Sequence, residues 1–221
     1  MTKNNKQKDG YKLTPEQLDT LKELGNIGSG HAITALSKLL NRDIDVSLTT
    51  AEIIPFWNVS EVFDTPNVEV FGIYSEIPFE SDLSIMQLFT KESIINLINL
   101  LNINDKISND KIRNIKDLDE FSISIIKEIG NILTGHYTSA LADLLSIKLI
   151  PSVPTIALDT LNAMLNGIIG KNSQLSDYIV LIRTKMTLSE ININGIICFI
   201  PCMNILKNIF KTLNLKYNMN L

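Results

Sequence analysis

Apolar and small residues recur along this chain at two spacings, and the spacing changes in blocks. Leu18, Leu21, Gly25, Gly28, Ala32, Ala35, Leu36 and Leu39 gather on one side at about 100° per residue, the inner stripe of a long helix. Thr14 as N-cap, Pro15 at the first helical position and Gln17 three residues after the cap mark its start. A second long helix follows the same logic, with Asp117 as the expected N-cap and Glu120 three residues on. Strand patterns follow each helix: residues 44–55, 68–77 and 83–89 after the first, and 147–158, 176–187 and 191–200 after the second. Short helical patterns at 91–101 and 203–213 close the two series.

The two series are copies of one unit. Residues 23–40 align with 128–145 at a constant offset of 105, with ten of eighteen positions identical. The unit reads helix, three strands, helix, written twice. Helices and strands in blocks, without regular βαβ alternation, predict an α+β fold with a mainly antiparallel sheet. Two such copies associate most simply about a pseudo-two-fold axis, which merges their sheets and sets both long helices on one surface. The expected organisation is a polar, disordered tail over 1–12, then one domain over 13–221. That domain is built from repeats at about 13–102 and 117–214, joined by an Asn-, Asp-, Lys- and Ser-rich linker at 103–116.

Opposite the core stripe of the first helix lie Asp19, Glu23, Asn26, Gly30 and Ser37, and in the second Ser124, Glu128, Asn131, Gly135 and Ala142. A polar outer face needs no function by itself. Here the copies differ over much of their surface, as in Lys38 against Asp143, yet Glu, Asn and Gly on the outer arc are the same. Glycine in a helix interior costs about 0.5–1 kcal/mol relative to alanine, and core packing does not account for Gly30 or Gly135. A glycine beside a Glu and an Asn admits close approach by another molecule. An Asn side chain can orient a water but cannot take its proton as a base, so the pair is not a self-sufficient hydrolase. It makes sense where a partner brings the phosphoryl group and a divalent metal, with the Asn holding the attacking water in line.

Composition narrows the classes further. Twenty Lys and Arg against 24 Asp and Glu give a net charge of −4 with no long basic block, which argues against nucleic acid as a partner. The N-terminus lacks the apolar core of a secretory signal, and no apolar run approaches the ~20 residues that span a bilayer, so a cytoplasmic protein without membrane insertion is expected. Cys198 and Cys202 are far in sequence from His31 and His136, so zinc ligation by all four would be a coincidence of folding, and the cysteines read as small buried hydrophobes. The two histidines share one repeat position and read as helix-surface or helix-packing residues, with a pH-sensitive contact at a partner surface as the alternative.

Glu23-x-Gly-Asn26-Ile-Gly-x-Gly and Glu128-Ile-Gly-Asn131-Ile-x-x-Gly resemble the signature of the CheC family of chemotaxis phosphatases. In that family Asp or Ser, three residues, Glu, two residues, Asn and twenty-two residues precede a Pro. Ser124, Glu128, Asn131 and Pro154 complete the pattern in the second copy; Asp19, Glu23 and Asn26 match in the first, with Thr49 in the place of the Pro. The resemblance implies a phosphatase acting on the phosphorylated response regulator CheY. The Glu residues pair with the regulator's lysine and the Asn residues orient the water that hydrolyses its aspartyl phosphate. Asp19, Gly30, Ser124 and Gly135 are then partner-binding positions. It also implies that Mg2+ is held by the regulator and none by this chain, and that the deamidase CheD is a further partner and regulator. Relatives carry glycines where this chain has Glu80-Ser81-Asp82-Leu83-Ser84, and an Asn is common in them at the His31 and His136 position. The doubled signature and the lack of a flagellar switch extension favour a CheC-type over a CheX- or FliY-type chain, and the duplication favours a monomer. The alternative is a non-catalytic module docking on CheY, CheD or the flagellar switch through the same face.

Overall fold

The computed structural model describes residues 13–55, 58, 68–78, 83–101, 106–171, 178–188 and 191–213. The tail expected over 1–12 lies outside them. The elements are helix α1 (Pro15–Leu40), strands β1 (Asp45–Pro55), β2 (Glu69–Ile77) and β3 (Leu83–Thr90), and helix α2 (Lys91–Leu101). Then follow α3 (Glu120–Leu145), β4 (Thr155–Thr160), α4 (Leu161–Lys171), β5 (Tyr178–Leu188), β6 (Ile191–Pro201) and α5 (Met203–Thr212).

Six strands form one antiparallel sheet in the order β1-β5-β6-β3-β2-β4. Exchanging the halves, β1 for β4, β2 for β5 and β3 for β6, reads the same order backwards, so a pseudo-two-fold axis passes between β3 and β6. The halves are interwoven: β1 pairs with β5 and β4 with β2, so each unit lends its first strand to the other. Side chains alternate across the pleat. Phe71, Ile73, Ile85, Phe89, Ile182, Ile197 and Phe199 join a core shared with α1, α2, α3 and α5. Val70, Met86, Leu88, Leu181, Cys198 and Ile200 point to the opposite face, where Leu161 and Met164 of α4 pack. The α+β class and the antiparallel sheet expected from the sequence are those observed.

Several local expectations are corrected. Helix α3 is capped by Asp119, not Asp117: its Oδ1 accepts from the Ser122 N–H at 2.7 Å. Asp117 instead accepts from the backbone N–H groups of Arg113 (2.8 Å) and Asn114 (3.0 Å), which holds its carboxyl below the usual range. It closes the second of two 3-10 turns, Asn109–Lys111 and Ile115–Asp117, and Ile112 between them is buried. The run 147–158 yields a strand only from Thr155, because Pro151 and Pro154 keep the preceding backbone out of the ladder. In the other copy β1 extends ten residues before its end at Pro55, with Thr49 at a register shift between Leu48 and Thr50. Helix α4 has no counterpart in the expected unit. Both long helices stop at a left-handed residue, Asn41 (φ 51°) and Ser146 (φ 54°), at equivalent repeat positions.

Candidate functional site

Close contact between α1 and α3 begins with small residues. Gly28 faces the ring of Tyr137: a Cβ built there would lie 2.7 Å from the tyrosine Cδ1. Gly130 sits as tightly on the sheet, where an added Cβ would lie 2.5 Å from Ile73 Cγ2. Ala32, Leu36, Leu133 and Leu141 complete the buried side of the pair. Leu24, Ser29 and Leu40 are also buried, whereas Leu18, Ala35 and Leu39 of the expected stripe are half-buried at its margin.

With those faces committed to the core, the opposite arcs are turned outward. Asp19, Glu23, Asn26 and Gly30 are exposed on α1. Ser124, Glu128 and Asn131 are exposed on α3, and Gly135 is half-buried. Glu and Asn at i and i+3 are surface neighbours, with about 5–6 Å between their Cβ atoms. A Cβ added at Gly30 or Gly135 would meet nothing within 4 Å, so neither glycine is there for packing. The Ser124 hydroxyl donates to the Phe121 carbonyl at 2.7 Å.

The structure brings these residues together as two faces, not one. The two-fold runs helices lying on one side of the sheet in opposite directions. Asn26 and Asn131 therefore stand on opposite sides of the axis, separated by about 15 Å of helical rise. Between them, at the axis, meet His31 and His136, with ring centroids 5.9 Å apart. Burial, and then the neighbouring His31, hold the His136 imidazole below its usual pKa. Pro154 is buried at the start of β4, while its neighbour Val153 is exposed. Ser152 fastens this loop to β2, donating its N–H to the Glu76 carbonyl (2.7 Å) and accepting from the Glu76 N–H (3.0 Å).

One residue of the α3 face is absent from the expected set. Phe121 is 52% exposed and lies on the same stripe as Ser124, Glu128 and Asn131, at i, i+3, i+7 and i+10. Its repeat counterpart is Glu16, so comparing the copies hides it; an exposed aromatic in the first turn of the helix was the available signal. Among the described residues no group of three or more His, Cys, Asp or Glu side chains could hold one metal ion. Cys198 lies in the sheet with its thiol pushed up to about 12 by burial, and Cys202 is buried at the start of α5. No helix among the described residues is long and apolar enough to cross a membrane. Residues 79–82, which hold most of the segment where relatives carry glycines, lie outside the described residues.

An interwoven antiparallel sheet carrying two symmetry-related helices, each with an exposed Glu and Asn, defines a duplicated α+β protein of the CheC type. The model of the CheC-like family matches residues 16–47 and 121–166, the two long helices and what directly follows them. The chain is 35% identical over 181 residues to the CheY-P phosphatase CheC of Bacillus subtilis, covering 79% of this chain and 81% of that protein. The chain belongs to the CheC family. It is also 27% identical over 146 residues to the flagellar motor switch phosphatase FliY of the same organism, covering 66% of this chain but 36% of that longer protein. Among solved structures, FliY of Thermotoga maritima shares the fold, with a TM-score of 0.66 at 20% identity, covering 92% of this chain and 98% of that one.

Proposed function

We propose that this chain hydrolyses the aspartyl phosphate of a phosphorylated CheY-type response regulator, using the outer faces of α1 and α3 as two sites. Phosphatase activity accords with membership of the family and with similarity to a CheY-P phosphatase over most of both chains. The observation that carries the residue assignment is the repetition of one exposed Glu, Asn and open Gly on both helices, where the fold makes no structural use of them.

In this reading Glu23 and Glu128 anchor the regulator through a cationic side chain. Asn26 and Asn131 enter its site, each accepting from and donating to a water so that the water's lone pair points at phosphorus. The Asn takes no proton; positioning and the partner's electrostatics carry the catalysis. Mg2+ belongs to the partner, where it would neutralise charge on the phosphoryl oxygens. Gly30 and Gly135 leave room for the partner's backbone, and Asp19 and Ser124 border the contact. Regulation by CheD and a monomeric state belong to the same reading; for the monomer, the duplication supplies both helices and all six strands of the sheet within one chain.

The test is release of inorganic phosphate from phosphorylated regulator with this protein at substoichiometric amounts. Acceleration over the regulator's own autodephosphorylation, sustained for many turnovers, is the expected result. No acceleration with intact binding would leave a docking module without catalysis.

A further inference from the structure

His31 and His136 are the only histidines in the chain, and the fold brings them side by side. They occupy one repeat position on different helices, so their meeting at the pseudo-two-fold axis is a product of the duplication. The centroids are 5.9 Å apart and the rings are tilted by 59°. Neither imidazole has a hydrogen-bond partner among the described residues. Above them opens a groove of about 420 Å3 lined by Gly30, His31, Thr34, Ala35, Lys38 and His136.

We propose that one ring nitrogen of each histidine ligates a divalent transition metal of the Zn2+ class on this axis, bridging α1 and α3. Zinc–nitrogen bonds are about 2.0–2.1 Å, which puts two ligating imidazole centroids about 5–6 Å apart for angles from tetrahedral to somewhat wider. The observed 5.9 Å lies at the wide end of that range, and a side-chain rotation of exposed His31 would bring the rings toward the tetrahedral separation of about 5 Å. The groove leaves the remaining positions to water, or to a donor atom from a bound partner. Imidazole nitrogen selects Zn2+, Ni2+, Co2+ or Cu2+ over the hard ions Mg2+ and Ca2+, which prefer oxygen. The ion is separate from the proposed phosphatase chemistry. It sits between the two Glu and Asn faces, five residues from each Asn, and would hold the two helices at a fixed spacing.

The experiment is calorimetric titration of the full chain with Zn2+, with Mg2+ as control, and a thermal melt with and without Zn2+. One equivalent bound, an upward shift in melting temperature, and no effect of Mg2+ are expected. Co2+ in place of Zn2+ should give a d–d absorption band that reports nitrogen ligation directly. His31→Ala or His136→Ala should each weaken Zn2+ binding by at least the roughly tenfold that losing even an outer-shell partner of a ligand costs. His31 is exposed and His136 half-buried, and circular dichroism of each variant checks its fold. Absence of stoichiometric binding, or binding unchanged in the folded His31→Ala/His136→Ala variant, would overturn the proposal.

Discussion

The side-chain amide of Gln87 on β3 donates to the carbonyl of Gly130 at 2.9 Å, so the centre of the sheet holds α3 at the residue immediately before Asn131. The same nitrogen lies 2.6 Å from the Thr134 hydroxyl one turn on. Gln87 faces Ile197 across the β3–β6 ladder, close to the pseudo-two-fold axis. An isoleucine has no donor, so the corresponding tie to α1 cannot form. The two candidate sites, alike on their outer faces, are therefore supported differently from beneath.

Replacing Gln87 by Met removes two buried hydrogen bonds, each worth about 0.5–1.5 kcal/mol net, and also relieves Oε1, which lacks a partner among the described residues. A net loss of about 1 kcal/mol in urea denaturation is expected. In an Asn26→Ala background, where only the α3 site remains, Gln87→Met should lower turnover further. In an Asn131→Ala background it should leave turnover nearly as it was.

The glycines of α1 divide by what surrounds them. Gly28→Ala drives a methyl group against the buried ring of Tyr137 and should cost about 1–3 kcal/mol in chemical denaturation. Gly30→Ala enters open space and should gain about 0.5–1 kcal/mol. If a regulator docks there, Gly30→Ala and Gly135→Ala together should raise stability while lowering turnover. That combination separates a docking role from a folding role.

Phe121 extends the α3 face with an exposed aromatic surface, and its counterpart on α1 is the charged Glu16. Phe121→Ala should weaken binding of the phosphorylated regulator about tenfold, the 1–2 kcal/mol typical of an aromatic contact at an interface. Glu16→Ala should leave it unchanged. Surface plasmon resonance on a non-hydrolysable phosphoryl analogue of the regulator checks both.

Much of the surface pattern was legible in the sequence, and much of the wiring was not. The capping box of Thr14 and Gln17, the outward arcs and the antiparallel α+β class follow from local spacing, and the fold realises them. The exchange of β1 and β4 between halves depends on pairings such as Glu52 with Leu181, which lie 129 residues apart and leave no trace in local periodicity. Helix α4 carries Gly167 and Gly170 within eleven residues, which weakens its helical signal, and its burial comes from Met164 packing over Gly72. Asp117, with Glu120 three residues on, carries the stronger capping pattern in the sequence; the 3-10 turn that engages Asp117 leaves the cap of α3 to Asp119.

Thr49 and Pro154 make the sites unequal at their borders as well. Pro154 ends the irregular loop and fixes where β4 begins, while β1 runs through Thr49 with a shift of register. With the added tie from Gln87, the Glu128 and Asn131 site is expected to contribute more of the turnover. Asn131→Ala should therefore cost more activity than Asn26→Ala against the same phosphorylated regulator. Equal losses would remove the argument, and the opposite order would reverse it.

The most direct measurement is phosphate release from phosphorylated regulator by the Asn26→Ala/Asn131→Ala double variant, beside a circular dichroism melt of the same sample. Both side chains are exposed and alanine favours helix, so the melt should be that of the parent or slightly higher. The account predicts release indistinguishable from the regulator's own autodephosphorylation, with the fold intact. A folded double variant that still accelerates release would contradict it.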